Sequence, residues 1–101
     1  FENLCFQKLR SQGWDVKQTP VSGDQGVDII ASMNDLRLCI QCKDHQKTIG
    51  NKAVQEVVAG MKFYDANVGI VIAPNGFTNS AEKLAAANKI KLIHHSQIKD
   101  L

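Results

Sequence analysis

Asp28, Gln41 and Lys43 are of the residue types that hold a divalent cation and stabilise charge on a phosphate, and a tight turn between them would bring all three together. With Asn34 and Asp35 as a two-residue turn, cross-strand partners follow directly: Met33 faces Leu36, Ile30 faces Cys39, and Asp28 lies opposite Gln41. Strand alternation then puts Asp28, Gln41 and Lys43 on one face. Val27, Ile29, Ala31, Met33, Leu36, Leu38, Ile40 and Cys42 form the other, wholly apolar face. A carboxylate, an amide oxygen and an ammonium at one end of a core-building hairpin suit a metal ion beside a phosphate.

Phosphodiester hydrolysis needs such a metal, to activate water and offset charge on the phosphate, with further positive charge close by. Asp28 is the anionic ligand, Gln41 adds a neutral oxygen, and the backbone carbonyl of Cys42 adds another at the strand edge. Lys43 then faces the phosphate, where it can stabilise the pentacovalent charge or orient the attacking water; the sequence leaves both roles open. Glu2 offers a second carboxylate that reaches the metal through water if the first helix packs beside this end of the hairpin. Each residue also has an ordinary role to compete with. Asp28 could open a turn, Gln41 and Lys43 could line a solvated strand face, and Glu2 could serve the helix dipole. Their placement opposite one another favours the site.

The elements that must position these residues are legible from periodicity. Phe1, Leu4, Cys5, Phe6 and Leu9 form a helical stripe from Phe1 to about Ser11 that Gly13 ends, and Glu2 falls inside it, so its carboxylate points toward the body of the protein. Trp14 to Thr19 reads as a strand stopped by Pro20, with Trp14 in the core, and residues 22–26 form a turn-rich loop that delivers Asp28. After Lys43, a polar connection reaches Gly50 and Asn51. Val54, Val57, Val58 and Met61 then recur at helical spacing to about Ala66. Val68 to Ala73, closed by Pro74, is the uninterrupted apolar run of a strand buried on both faces, as in a parallel crossover. A helix capped by Thr78 or Asn79 and a last strand from Ile90 to Ile93 complete an α-β-β-β-α-β-α-β order, a mixed sheet flanked by helices.

Composition bounds what this can be. The chain has 101 residues, 44% hydrophobic and 22% charged, which fits one domain, and its opening at Phe1 suggests excision from a longer protein. The net charge of +2 is too small to imply a polyanion partner by itself. Lys47, Lys52 and Gln55 near the site are the candidates for contact with a DNA backbone, although scattered lysines are usually solvated. No stretch has the length of a transmembrane helix, so no membrane contact is expected. Three cysteines are an odd number that favours a reducing, cytoplasmic setting. Cys39, Cys42 and His45 have zinc-like spacing, but strand parity turns the two sulfurs apart. His94 and His95, after the last strand, read as surface or helix-opening residues rather than general bases.

The stretches Ser22-Gly23-Asp24-Gln25-Gly26-Val27-Asp28, Gln41-Cys42-Lys43, Gly50-Asn51-Lys52-Ala53-Val54-Gln55-Glu56 and Phe77-Thr78-Asn79-Ser80-Ala81 together resemble the catalytic domain of Mrr-type restriction endonucleases, within the PD-(D/E)xK nuclease superfamily. The likeness runs in order over nearly the whole chain. It implies a restriction-endonuclease-like three-layer α/β fold for residues 1–101 and magnesium-dependent cleavage of double-stranded DNA, with manganese able to substitute and a type IV-like restriction role. It assigns Asp28, Gln41 and Lys43 to the metal-and-lysine motif and Glu2 to the acid of the first helix. Gln41 departs from the Asp or Glu of most of the superfamily and points to the Mrr-like branch. A repair or junction-resolving nuclease, or a non-catalytic DNA-binding module on the same fold, is the alternative. No recognition-helix motif is present, which places target choice in a domain elsewhere in the full-length protein. Cutting both strands needs two active sites, which points to a homodimer, although no interface signature is present.

Overall fold

The hairpin forms in the register that alternation predicts. In the computed structural model, which describes residues 1–19, 26–44 and 47–101, β2 (Ile29–Met33) pairs antiparallel with β3 (Leu36–Cys42), Met33 against Leu36 and Ile30 against Cys39. The turn works because Asn34 takes a left-handed conformation at φ 56°, which asparagine tolerates better than most residues. The loop over residues 22–25 and the histidine of the zinc-like spacing, His45, lie outside the described residues.

Around this hairpin the chain builds α1 (Glu2–Ser11), β1 (Asp15–Gln18), α2 (Asn51–Phe63), β4 (Val68–Ala73), α3 (Asn79–Asn88), β5 (Ile90–His94) and a closing 3₁₀ helix (His95–Asp100). The sheet order is β1-β2-β3-β4-β5, antiparallel through β3 and parallel from β3 to β5. This is the α/β order expected, with the 3₁₀ helix added. His94, the last residue of β5, caps that helix: its ring accepts from the Ser96 amide at 3.1 Å, and its own amide donates to Gln97 Oε1 at 2.7 Å.

Two cores make three layers. On one face Cys5 and Leu9 of α1 and Ile98 of the 3₁₀ helix meet Ile29, Ala31, Leu38, Ile40, Ile70 and Ile72. On the other, Ala53, Val54 and Val57 of α2 and Ala81 and Ala85 of α3 meet Cys39, Val71 and Ala73. Opposite-facing neighbours along β3 and β4 are thus buried on both sides, which explains the unbroken apolar run of β4. Trp14 is buried, as expected. α2 approaches β4 closely because Gly69 has no side chain: a Cβ there would lie 2.6 Å from Val57 Cγ1. α3 starts where Thr78 Oγ1 accepts from the Ala81 amide at 3.0 Å.

The regular alternation fails at one place. β2 begins at Ile29, and the Asp28 amide donates to the Ile40 carbonyl at 2.8 Å instead of pairing squarely with Gln41. Ile29 also has Ile40 as its partner, so two residues of one strand oppose one of the other, as in a β-bulge. A slip of one residue exchanges the faces of everything before it. Val27, expected beside Ile29, is accordingly buried in the α2-side core with Cys39 and Val71.

Candidate functional site

The polar residues gather where β3 runs out. The β3–β4 ladder extends one residue past the strand through the Lys43 amide, which donates to the Ile72 carbonyl at 2.9 Å and so fixes the Lys43 backbone. Gln41 and Lys43 share the α2 face, as alternation requires. Gln41 is only 3% exposed, the one buried polar residue among those described. Its Nε2 donates to Glu56 Oε1 of α2 at 3.1 Å, and Lys43 Nζ lies 3.8 Å from the same oxygen. Gln41 Oε1 is buried and, among the described residues, has no hydrogen-bond partner. An acceptor left so is unfavourable by roughly 1–3 kcal/mol unless something fills its lone pairs.

The bulge re-aims Asp28. Its carboxylate does not sit beside the Gln41 side chain on the α2 face as expected; Oδ2 instead accepts from the Cys42 amide at 2.8 Å. Because the Lys43 amide points to β4, Cys42 presents its N–H toward β2. The Cys42 C=O follows the same direction, since both groups of a strand residue point one way. Asp28 and the Cys42 carbonyl therefore meet at the strand edge, one residue from both Gln41 and Lys43. Glu2 stands close by at the start of α1, held by Gln18 Nε2 at 3.3 Å. The Glu2 carboxyl is raised above its ordinary value, first by partial burial and then by the Asp28 carboxylate.

This donor set fits a hard divalent cation. Positive charge beside Glu2 and Asp28 would relieve the repulsion between the two carboxylates, and the Gln41 amide oxygen is a neutral donor on the residue next to Cys42, whose amide holds Asp28. Among the described residues no group of three or more His, Cys, Asp or Glu forms a cage, so a metal here depends on the amide, backbone and solvent oxygens as well. A zinc–thiolate site has no support: Cys39 and Cys42 lie in opposite cores, and burial pushes Cys39 up to about 11. Of the three residues proposed for DNA contact, Lys52 joins Lys43 in lining a groove of about 290 Å³ at the start of α2. Lys47 and Gln55 are exposed and lie outside that lining.

Two features escape strand and stripe reasoning. Glu56 is not among the residues that hairpin geometry picks out, yet it contacts Gln41 of β3 and Lys43 just past that strand. The signal was present: Ala53, Val57 and Gly60 flank it at helical spacing, so its carboxylate falls on the buried side of α2, as Glu2 does on α1. The second is the Cys5 thiol on α1, whose hydrogen bond with Cys42 pushes the Cys42 thiol up, with burial adding to the effect. His95 packs edge-on against Phe1, ring centroids 5.6 Å apart, on the α1 side.

Comparison with known proteins bears on this arrangement. The restriction endonuclease family model Mrr_cat matches residues 1–101. The type IV methyl-directed restriction enzyme EcoKMrr of Escherichia coli (strain K12) is 27% identical over 93 residues, which cover 84% of this chain and 31% of the relative; the chain thus spans about a third of that enzyme. Among solved structures, the MspJI restriction endonuclease in complex with a 27-mer oligonucleotide superposes with a TM-score of 0.67 at 21% identity, over 97% of this chain and 26% of that one. A Holliday junction resolvase, Hjc of Archaeoglobus fulgidus, gives a TM-score of 0.61 at 20% identity, over 74% of this chain and 65% of that one. At such identities the two structures speak for the fold, a restriction-endonuclease-like α/β fold.

Proposed function

This chain belongs to the Mrr_cat restriction endonuclease family, and we propose that it hydrolyses phosphodiester bonds of double-stranded DNA with magnesium bound by Asp28 and the Gln41 side-chain oxygen. The observation that carries this is Gln41 Oε1, a buried acceptor without a partner among the described residues, on the residue next to Cys42, whose amide holds the Asp28 carboxylate, and two residues before Lys43. The Cys42 carbonyl completes the protein oxygens, and Glu2 contributes its carboxylate through water. When bound, magnesium, or manganese in its place, supplies charge neutralisation at the phosphate and a more acidic water. Lys43 holds its ammonium toward the phosphate oxygens, and Lys52, in the same groove, extends positive charge along the backbone, with Lys47 and Gln55 at its margin.

The biological role is restriction of the type IV kind, in keeping with the relative from Escherichia coli. Target and methylation recognition belong to a further domain, since this chain corresponds to 31% of that enzyme. Residues 1–101 act as its catalytic domain, paired as a homodimer when both strands are cut. Three free cysteines fit the reducing cytoplasm, and among the described residues no helix is long and apolar enough to cross a membrane.

The test is cleavage of duplex DNA with magnesium, comparing the protein with Lys43→Ala. The Lys43 side chain is partly exposed and its fold-holding bond is made by the backbone, so the variant should fold. Its cleavage rate should fall by roughly a hundredfold or more, the loss seen when one transition-state charge stabiliser is removed. Near-normal cutting by a folded Lys43→Ala protein would refute the assignment.

A further inference from the structure

We propose that Glu56 is a positioning residue of this site: it fixes which end of the Gln41 amide is offered to the cation, and it tethers Lys43 beside it. The inference rests on the metal site proposed above and deepens it. A glutamine amide has a donor end and an acceptor end of nearly the same shape, so a glutamine can serve a metal only if something decides which end faces it. An ionised carboxylate accepts hydrogen bonds and donates none. Glu56 Oε1, at 3.1 Å, can therefore hold only the Nε2 end of Gln41, which leaves Oε1 as the atom with open lone pairs, and Oε1 is the atom found buried and unpartnered. Where an aspartate or glutamate occupies this strand position, both ends are oxygens and no such device is needed. Glu56 is thus the partner that a glutamine at position 41 requires.

Glu56 is itself held. Gly26, at φ 78°, passes so close that a Cβ there would lie 2.4 Å from Glu56 Cβ, so only a glycine lets the backbone before Asp28 lie against this side chain. The segment leading to Asp28 and the orienting carboxylate are packed as one unit. The same Oε1 stands 3.8 Å from Lys43 Nζ, so a single oxygen of α2 addresses both Gln41 and Lys43.

A double-mutant cycle read by calorimetric titration with magnesium tests this on the whole protein. Glu56→Ala should weaken magnesium binding about tenfold or more, the usual effect of removing an outer partner that orients a ligand. In a Gln41→Glu background the same change should cost less than about twofold, because a carboxylate has no wrong end, and the difference between the two losses is the coupling. Equal losses in both backgrounds would overturn the proposal, since Glu56 would then act by charge or fold alone; so would no loss in the parent. A metal-free readout follows the Gln41 side-chain amide in ¹⁵N-edited spectra. Its hydrogen-bonded proton should be displaced downfield in the parent, return toward the free-amide position in Glu56→Ala, and be recovered in part by Glu56→Gln, which keeps an acceptor. An amide signal indifferent to Glu56→Ala also overturns the proposal. A parent protein that binds no magnesium sinks the metal site and this proposal with it. Binding that is lost in Asp28→Asn but unchanged in Glu56→Ala sinks this proposal alone.

Discussion

The two ends of β3 both carry polar residues, and they treat them oppositely. At the hairpin end, Arg37 is closed in on itself: its amide donates to Asn67 Oδ1 at 2.7 Å, its carbonyl accepts from the Asn67 amide at 2.8 Å, and its guanidinium donates to the Tyr64 carbonyl at 2.9 Å. Every one of these groups is exposed enough for water to take over. At the other end, four residues on, Gln41 is buried with an oxygen left open among the described residues, and partial burial, then the Asp28 carboxylate, hold the Glu2 carboxyl above its ordinary value. A fold under no demand but stability would finish both ends alike. The unfinished end is the one at which a bound cation is proposed.

The sharpest way to break this contrast is to remove the charge that the unfinished end depends on. Asp28→Asn keeps an oxygen able to accept from the Cys42 amide, so the strand edge should hold its shape. It loses the anionic ligand, and magnesium affinity by calorimetry should fall by roughly tenfold or more, since ligand charge sets affinity at oxygen sites. Equal affinity in Asp28→Asn and the parent would mean that the repulsion between Asp28 and Glu2 is a mere crowding of surface acids.

What could be foretold at each end differs for the same physical reason. The hairpin register was legible because turn chemistry and a period of two are local, and the strand from Val68 to Ala73 was legible because burial on both faces leaves an unbroken apolar run. The one-residue bulge at Asp28 was not, because nothing in Val27-Asp28-Ile29 distinguishes a continuing strand from one with a residue to spare; only the packing of Val27 against Cys39 and Val71 decides it. Asp28, Gln41 and Lys43 stand out as candidates by type and spacing. Glu56 needed knowledge of how closely α2 lies on the sheet, which Gly69 and Gly26 permit without announcing it. Contacts between distant segments are set by such clearances, and residue types report them poorly.

Gln41→Glu sharpens the contrast from the other direction by supplying an anionic oxygen where the structure has a neutral one. The substitution is nearly isosteric, so the fold should survive. Without metal, the new carboxylate faces Glu56 across a contact now 3.1 Å long, and the two repel. Magnesium gains an anionic ligand in place of a neutral one, so affinity should rise several-fold all the same. The cleavage rate need not follow, because a more fully neutralised cation is a weaker Lewis acid and Lys43 gains a second acid to pair with. A well-folded Gln41→Glu protein that binds magnesium no better than the parent would show that the Gln41 side chain does not face the cation.

The smallest effect belongs to the finished end. Asn67→Ala removes the side-chain oxygen that accepts from the Arg37 amide, but the backbone bond from the Asn67 amide to the Arg37 carbonyl remains, and water can reach the exposed amide left behind. The expected loss of stability is about 0.5 kcal/mol, toward the low end for a hydrogen bond. That corresponds to a fall in Tm of roughly 2–4 °C for a domain of this size. Magnesium affinity should stay within about twofold of the parent, because sites this far apart with no shared partner behave additively. Thermal unfolding and calorimetry on the same sample separate the two quantities. If Asn67→Ala stayed folded yet lost magnesium affinity as Asp28→Asn does, the two ends of β3 would be one coupled unit. The open oxygen of Gln41 could then no longer be assigned to binding in contrast with a hairpin end that only holds the fold.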